Sequence, residues 1–297
     1  MRSRALPYAA VAFAACAWGT WGLVIRWTDV IAPMSSAMKS TIVMAVITLV
    51  TGLTALRDRT PHQAPWRARG WVAFLGVSDA FNILLFFAAY RKAIAVSVLA
   101  HYLTPVLVAI AAPLLLRERM TPRTGAAIAG SLAGLVIILA PWSGAAVPAE
   151  VAASAALGAG SAVFYASNVI VNKLVAGAFS TSETMFWHGV VGTPLLAAFV
   201  PCGEWAALDG RAVAFLGIAT VVPGAMAGLA FVWGLRRVQA AHASTLTLLE
   251  PLVSIVLGAA LLGEGVGART FAGGALILAG ALAVMTQPSG PDAAPAS

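Results

Sequence analysis

LTPVLVAIAAPLLLRERMTPRTGAAIAGSLAG, residues 103–134, occurs twice in this chain in related form. Moved along by 146 positions without a gap, it overlies residues 249–280, LEPLVSIVLGAALLGEGVGARTFAGGALILAG. Twelve of the 32 aligned positions are identical: Leu103, Pro105, Leu115, Leu116, Glu118, Arg123, Thr124, Ala126, Ala129, Leu132, Ala133 and Gly134 each meet the same residue. Apolar matches arise readily by chance. The proline, the glutamate and the Arg-Thr pair in one register do not. The chain is a duplicated unit.

Outward from this stretch, the composition is that of a membrane protein. Of 297 residues, 60% are hydrophobic and 10% charged, where soluble domains carry roughly 25% charge. Apolar runs of about 20 residues recur along the length, each enough to cross a hydrocarbon layer roughly 30 Å thick. The alternating pattern of a membrane β-barrel is absent. A net charge of +7 would suggest nucleic acid for a soluble domain, but the basic residues lie in short loops and report topology, so no nucleic-acid partner is expected. Cys16 and Cys202 sit in apolar segments without metal-ligand spacing and read as small core residues. HExxH, Walker A and GxSxG signatures are missing, so neither an enzyme nor a cofactor or metal is expected.

Ten spans follow from the hydropathy: 6–26, 33–55, 70–89, 94–116, 123–141, 152–174, 183–202, 212–235, 241–262 and 269–286. The first begins after Arg2 and Arg4 like a signal peptide, but its apolar run reaches Ile25, beyond the usual 7–15 residues. It reads as a mature helix. Residues 1–146 form one five-helix unit and 147–287 the second, with a Pro-rich tail, 288–297, expected to be disordered. Five is odd, so the copies cross in opposite directions. The expected fold is an all-α integral membrane protein of ten transmembrane helices in two inverted-topology repeats, an arrangement that places a solute site near the midplane between the halves. Twelve Lys and Arg on the N-terminal side face five on the other. That bias puts both termini in the cytoplasm of a plasma-membrane protein, or of an inner-membrane one in a Gram-negative cell.

Ionisable residues inside spans cost roughly 2.5–3.5 kcal/mol on insertion scales, so each needs a reason. Lys39, Asp79, His101, His188 and Glu250 are the candidates. Glu250 lies beside Pro251, which removes a backbone donor and frees a carbonyl. It could hold a substrate ammonium or a proton, or simply bond a neighbouring helix. His101 and Tyr102 precede Pro105 in the equivalent span, and a histidine suits a proton-linked step. Asp79 and Asn82 stand one turn apart on one face. Tyr165, Asn168 and Asn172 share a stripe of the sixth span. Trp18 and Trp187 lie deeper than an interfacial belt and could stack on a flat or cationic solute, or pack. Lys39 either snorkels outward or partners an anion, Asp79 or Glu250. Glu118 and Glu264 read as loop or gating ion pairs beside Arg117, Arg119 and Arg269. Gly130–Gly134 and Gly224–Gly228 are spaced for close helix approach.

In order along the chain stand Trp18-Gly19, Asn82 with an apolar-aromatic run to Tyr90, Leu103-Thr104-Pro105 and Leu114-Leu115-Leu116-Arg117-Glu118. The second half has Leu235-Arg236-Arg237-Val238, Leu249-Glu250-Pro251-Leu252, Leu261-Leu262-Gly263-Glu264 and Gly273-Gly274 to Gly280. Over residues 8–286 this resembles the EamA-type transporters of the drug/metabolite transporter superfamily, with two EamA units. The resemblance implies ten helices, cytoplasmic termini and movement of small metabolites, amino acids or amphipathic compounds, frequently outward. Lys39 stands where such proteins often carry Arg, and Thr104 replaces the glutamate of the second copy.

The sequence therefore reads as a secondary transporter exporting a small metabolite (amino acid, amine or amphipathic compound) by alternating access. Substrate contacts are expected from Glu250, His101, Tyr102, Asp79, Asn82, Trp18, Tyr165, Asn168, Trp187, His188 and Lys39. The rival readings are an importer or facilitator of the same fold, a non-transporting scaffold and a lipid-acting enzyme. Partners are a small-molecule solute and membrane lipid, and both monomer and homodimer stay open. With no ATP-binding domain, energy comes from a solute or ion gradient, and the titratable groups are compatible with proton coupling.

Overall fold

The computed structural model describes residues 2–58, 64–89, 94–140, 142, 148–262 and 267–287. The tail 288–297, together with Tyr90, Arg91, Lys92 and Glu264, lies outside them. Among the described residues there is no strand. The helices are α1 (Ala5–Ile31), α2 (Ser36–Ala55), α3 (Trp66–Ala89), α4 (Val98–Leu115), α5 (Pro122–Leu139), α6 (Ala152–Leu174), α7 (Thr181–Ala197), α8 (Gly210–Leu235), α9 (Ala240–Leu261) and α10 (Ala268–Met285). All but α7 are long and apolar enough to cross a membrane. At 17 residues, α7 spans about 25 Å at 1.5 Å per residue. It stops five residues before the expected end at Cys202, where Cys202–Ala206 forms a separate short helix.

The starts are written in the sequence. Ser35 accepts from Met38 N, Thr121 from Thr124 N ahead of Pro122, and Ser180 with Glu183 closes a full capping box. Each satisfies amides that have no partner in the first helical turn. Four helices are interrupted. α1 breaks between Trp18 and Trp21, α4 between His101 and Thr104, and α9 between Leu246 and Leu249. α8 widens to a π-helical turn at Val221–Met226, around Pro223. Pro105 and Pro251, the matched prolines of the repeat, cause the breaks in α4 and α9. Neither has an N–H, so the carbonyls four residues earlier lose their helical donor. The His101 carbonyl accepts instead from the Thr104 hydroxyl at 2.7 Å, and the Thr247 carbonyl from Glu250 N at 3.0 Å.

Helix pairs recur with the units exchanged. α1 packs on α8 as α6 packs on α3, while α2 packs on its own counterpart α7, and α5 on α10. The last two pairs are antiparallel. In one, Gly52 meets Phe186, Thr48 meets Gly189 and Gly192 meets Met44; in the other, Gly134 meets Gly273 and Gly280 meets Ser131. A shared apolar core joins both units through Val11, Ala14, Val169, Leu216, Leu235 and Leu246. Outside it, Ile110, Leu114, Ile218 and Phe271 are exposed, a surface suited to hydrocarbon. The chain is a multi-pass membrane protein.

Polar side chains bind the bundle together at its N-terminal end. Tyr8 Oη meets His242 Nδ1 at 2.8 Å, and Thr124 Oγ1 meets His242 Nε2 at 3.2 Å. Gln287 accepts from Thr121 and Thr124. Glu118, read as an ion-pair residue beside Arg117 and Arg119, pairs with Lys173 and accepts from Ala240 N at 2.7 Å. Arg236 donates to the Phe179 carbonyl and the Thr184 hydroxyl. Burial, helped by neighbouring Arg237 and opposed by Glu183, lowers its guanidinium to about 10, so it stays charged at neutral pH. The cysteines depart from expectation: Cys16 and Cys202 are exposed rather than in the core.

Candidate functional site

The interruptions converge on one place. Gly19, at the break in α1, lies so close to α9 that an added methyl would stand 2.8 Å from the Glu250 carbonyl oxygen. Ser254 donates to the Gly19 carbonyl at 2.8 Å. Beside this junction is a partly open cavity of about 150 Å³. Its wall takes Trp18 and Trp21 from α1, Asp79, Asn82, Ile83, Phe86 and Phe87 from α3, His101 from α4, Tyr165 from α6, Met185 from α7 and Glu250 from α9. Pro223, Gly224 and Gly228 of α8 form another side. The α3 contribution comes from the half of that helix far from the N-terminal end, so the cavity lies beyond the polar cluster at that end.

Each carboxylate has its own surroundings. Glu250 is half-buried, with the Tyr102 hydroxyl directed at it from below the wall. Asp79 is held from three helices. Asn168 Nδ2 donates to its Oδ1 at 2.7 Å, Asn82 Nδ2 to the same oxygen at 3.3 Å, and His188 Nε2 stands 3.2 Å from its Oδ2. His101 Nδ1 meets Ser161 Oγ at 2.9 Å, and Ser161 donates in turn to Asn82 Oδ1. The imidazole of His101 stacks on Tyr165 at 5.4 Å, interplanar angle 9°. The Tyr165 hydroxyl lies in electrostatic reach of both Glu250 and Asp79. Beside it stands the Thr247 hydroxyl, which donates to the Ser244 carbonyl and keeps lone pairs free to accept from the phenol. Trp18 packs on Phe231 at 5.0 Å and edge-on to Tyr165 at 6.3 Å.

Of the residues expected to contact solute, the structure brings Glu250, His101, Asp79, Asn82, Trp18 and Tyr165 to the cavity wall. Tyr102, Asn168 and His188 stand directly behind it, bonded to its carboxylates. Two expectations fail. Trp187 points away, 47% exposed and packed on Phe186, because it lies on the outer face of the short α7. Lys39 is buried and bound to Asp29 at 2.7 Å, so it neither snorkels nor reaches Asp79 or Glu250. Phe86, Met185 and the Pro223–Gly224 turn escaped the sequence reading. Phe86 was accessible to it, since Asp79, Asn82, Ile83 and Phe86 form a stripe with helical spacing.

Comparison with known proteins agrees with this architecture. Residues 6–140 and 153–286 each match the EamA-like transporter family. A protein of Archaeoglobus fulgidus described as an uncharacterized transporter is 29% identical over 213 residues, covering 70% of this chain and 73% of that one. Protein PecM of Dickeya dadantii is 27% identical over 270 residues, covering 88% and 86%. A solved crystal structure superposes with a TM-score of 0.76 at 21% identity, over 94% of this chain and 98% of its own, a likeness of fold.

Proposed function

We propose, for a chain that belongs to the EamA-like transporter family, a secondary transporter that carries a small cationic amine outward across the plasma membrane. The supporting observation is the cavity wall. Two carboxylates, Asp79 and Glu250, face it, and among the described residues no Lys or Arg lines it. Trp18, Trp21, Phe86, Phe87 and Tyr165 supply aromatic surface, which attracts a cation over the ring face. Asp79 is engaged by three neighbours, whereas among the described residues Glu250 has the Tyr102 hydroxyl. Glu250 therefore serves as the counter-ion for the solute. An apolar cavity of about 150 Å³ accommodates a benzene-sized ligand, so the solute is of the order of one ring with an amine.

Alternating access is supported by the antiparallel pairing of α5 with α10 and of α2 with α7, which is the relation inverted repeats require. The interrupted helices α1, α4, α8 and α9 supply joints around the cavity. Both termini are assigned to the cytoplasm by the Lys and Arg bias. In this conformation the polar cluster at the N-terminal end is the closed side.

Counterflow in proteoliposomes tests the reading, with radiolabelled benzyltrimethylammonium, tyramine, neutral amino acids and benzoate in parallel. Saturable exchange of the two cations, lost in Glu250→Gln protein of unchanged thermal stability, supports it. Exchange of benzoate alone would overturn it.

A further inference from the structure

The two ring nitrogens of His188 both face oxygen acceptors. Nδ1 is 3.1 Å from the Thr184 carbonyl oxygen and Nε2 is 3.2 Å from Asp79 Oδ2. A carbonyl only accepts, so Nδ1 must carry a hydrogen. A neutral ring then turns the Nε2 lone pair onto a carboxylate, an arrangement without attraction. The contact becomes favourable only when one further proton sits between Nε2 and Oδ2.

We propose that Asp79 and His188 form a proton-binding site, and that this proton is the ion exchanged for the solute. This rests on the transport reading above and assigns its coupling. The site is built for such a role in two respects. Asp79 is 22% accessible and lines the cavity while His188 is 4% accessible behind it, so a proton enters and leaves through the solute chamber. The pair also joins α3 of the first unit to α7 of the second. That crossing is lined by small residues: a methyl on Gly76 would stand 2.5 Å from the His188 carbonyl oxygen, and one on Gly192 would stand 3.0 Å from the Gly76 carbonyl oxygen. When the proton departs to cavity water, a lone pair faces a carboxylate and the clasp between the units opens.

Few other charges bear on the pair. Across the cavity stands Glu250 from α9, with Tyr165 of α6 in reach of both carboxylates. His101 of α4 connects through Ser161 to Asn82. Just past the end of α8, Arg236 bonds Thr184, one turn before His188, and Glu183 lies at the α7 start. The sole titratable residue of α2, Lys39, is bound to Asp29.

The test uses full-length protein in proteoliposomes and benzyltrimethylammonium, whose fixed charge prevents passive redistribution with pH. An interior one pH unit more acidic should concentrate the cation about tenfold for one proton exchanged per cation. His188→Gln, whose amide donates to Asp79 without a dissociable proton, should lower the ratio of accumulation to counterflow by at least about fivefold. Should that variant fail to fold, the ratio of accumulation to counterflow is read in Asp79→Asn, with the same loss expected. Tenfold accumulation by either folded variant, or counterflow without accumulation in wild type, overturns the assignment. Absence of cation counterflow in wild type overturns the transport reading itself.

Discussion

Gly134 and Gly273 meet backbone to backbone where α5 crosses α10. A methyl on Gly273 would stand 2.4 Å from the Gly134 carbonyl oxygen, and one on Gly134 2.5 Å from that of Gly273. The 146-residue offset turns this pair into Gly280 and Ala127, and a methyl on Gly280 would indeed stand 2.8 Å from the Ala127 carbonyl oxygen. One contact is made twice, with the units exchanged.

Gly273→Val should therefore destabilise the protein by about 1–3 kcal/mol, the usual cost of overpacking. Gly130→Ala is the control, since nothing stands within 4 Å of an added methyl and helical Ala is favoured over Gly by roughly 0.5–1 kcal/mol. Thermal unfolding in detergent should show a lower Tm for the first and an unchanged or higher Tm for the second.

Glu250→Gln should cost the solute cation its charged partner. The quaternary ammonium has no N–H, so what is lost is Coulomb attraction, about 3–4 kcal/mol at about 4–6 Å and an effective dielectric of roughly 20 before desolvation is subtracted, and affinity for benzyltrimethylammonium should fall by roughly 10–100-fold. Isothermal titration gives the number. An unchanged Kd would remove Glu250 from the site.

Trp18→Leu should weaken cationic solutes more than a neutral ring of the same size, by about 0.5–2 kcal/mol, because it removes the ring face and keeps an apolar contact. Competition between benzyltrimethylammonium and its neutral carbon analogue, neopentylbenzene, reads the difference. Equal weakening of both would mean that Trp18 only shapes the cavity.

Glu118→Gln should leave Lys173 uncompensated at a site where the two side chains are 12% and 15% accessible. Removing one partner of a buried pair typically costs about 3–5 kcal/mol. The double variant with Lys173→Met should recover part of this loss in Tm. A single variant as stable as wild type would show that water already screens the pair.

Much of this was legible in the sequence because it was local or repeated. Pro105 and Pro251 announced two broken helices, and the spacing of Asp79 and Asn82 announced a face. The partners of that face were not legible. His188 and Asn168 reach Asp79 from the second unit, and no periodicity within α3 specifies which helix will lie opposite. Lys39 misled for a related reason. Its partner Asp29 precedes the turn between α1 and α2, so a charge read as facing the bundle was already neutralised nearby. Trp187 looked deep because its span was drawn to Cys202; with α7 ending at Ala197 and the ring on the outer face, depth in sequence did not mean depth in the protein.

A wall whose described residues include two carboxylates and no fixed cation is also an electrical object. Under the proposed cycle one leg carries the cation and the other the proton held by Asp79 and His188, so both legs move the same net charge. Membrane voltage acts at about 2.3 kcal/mol per elementary charge per 100 mV. Its effect therefore cancels over one complete cycle, and polarising the membrane should leave the accumulation ratio set by the pH difference unchanged.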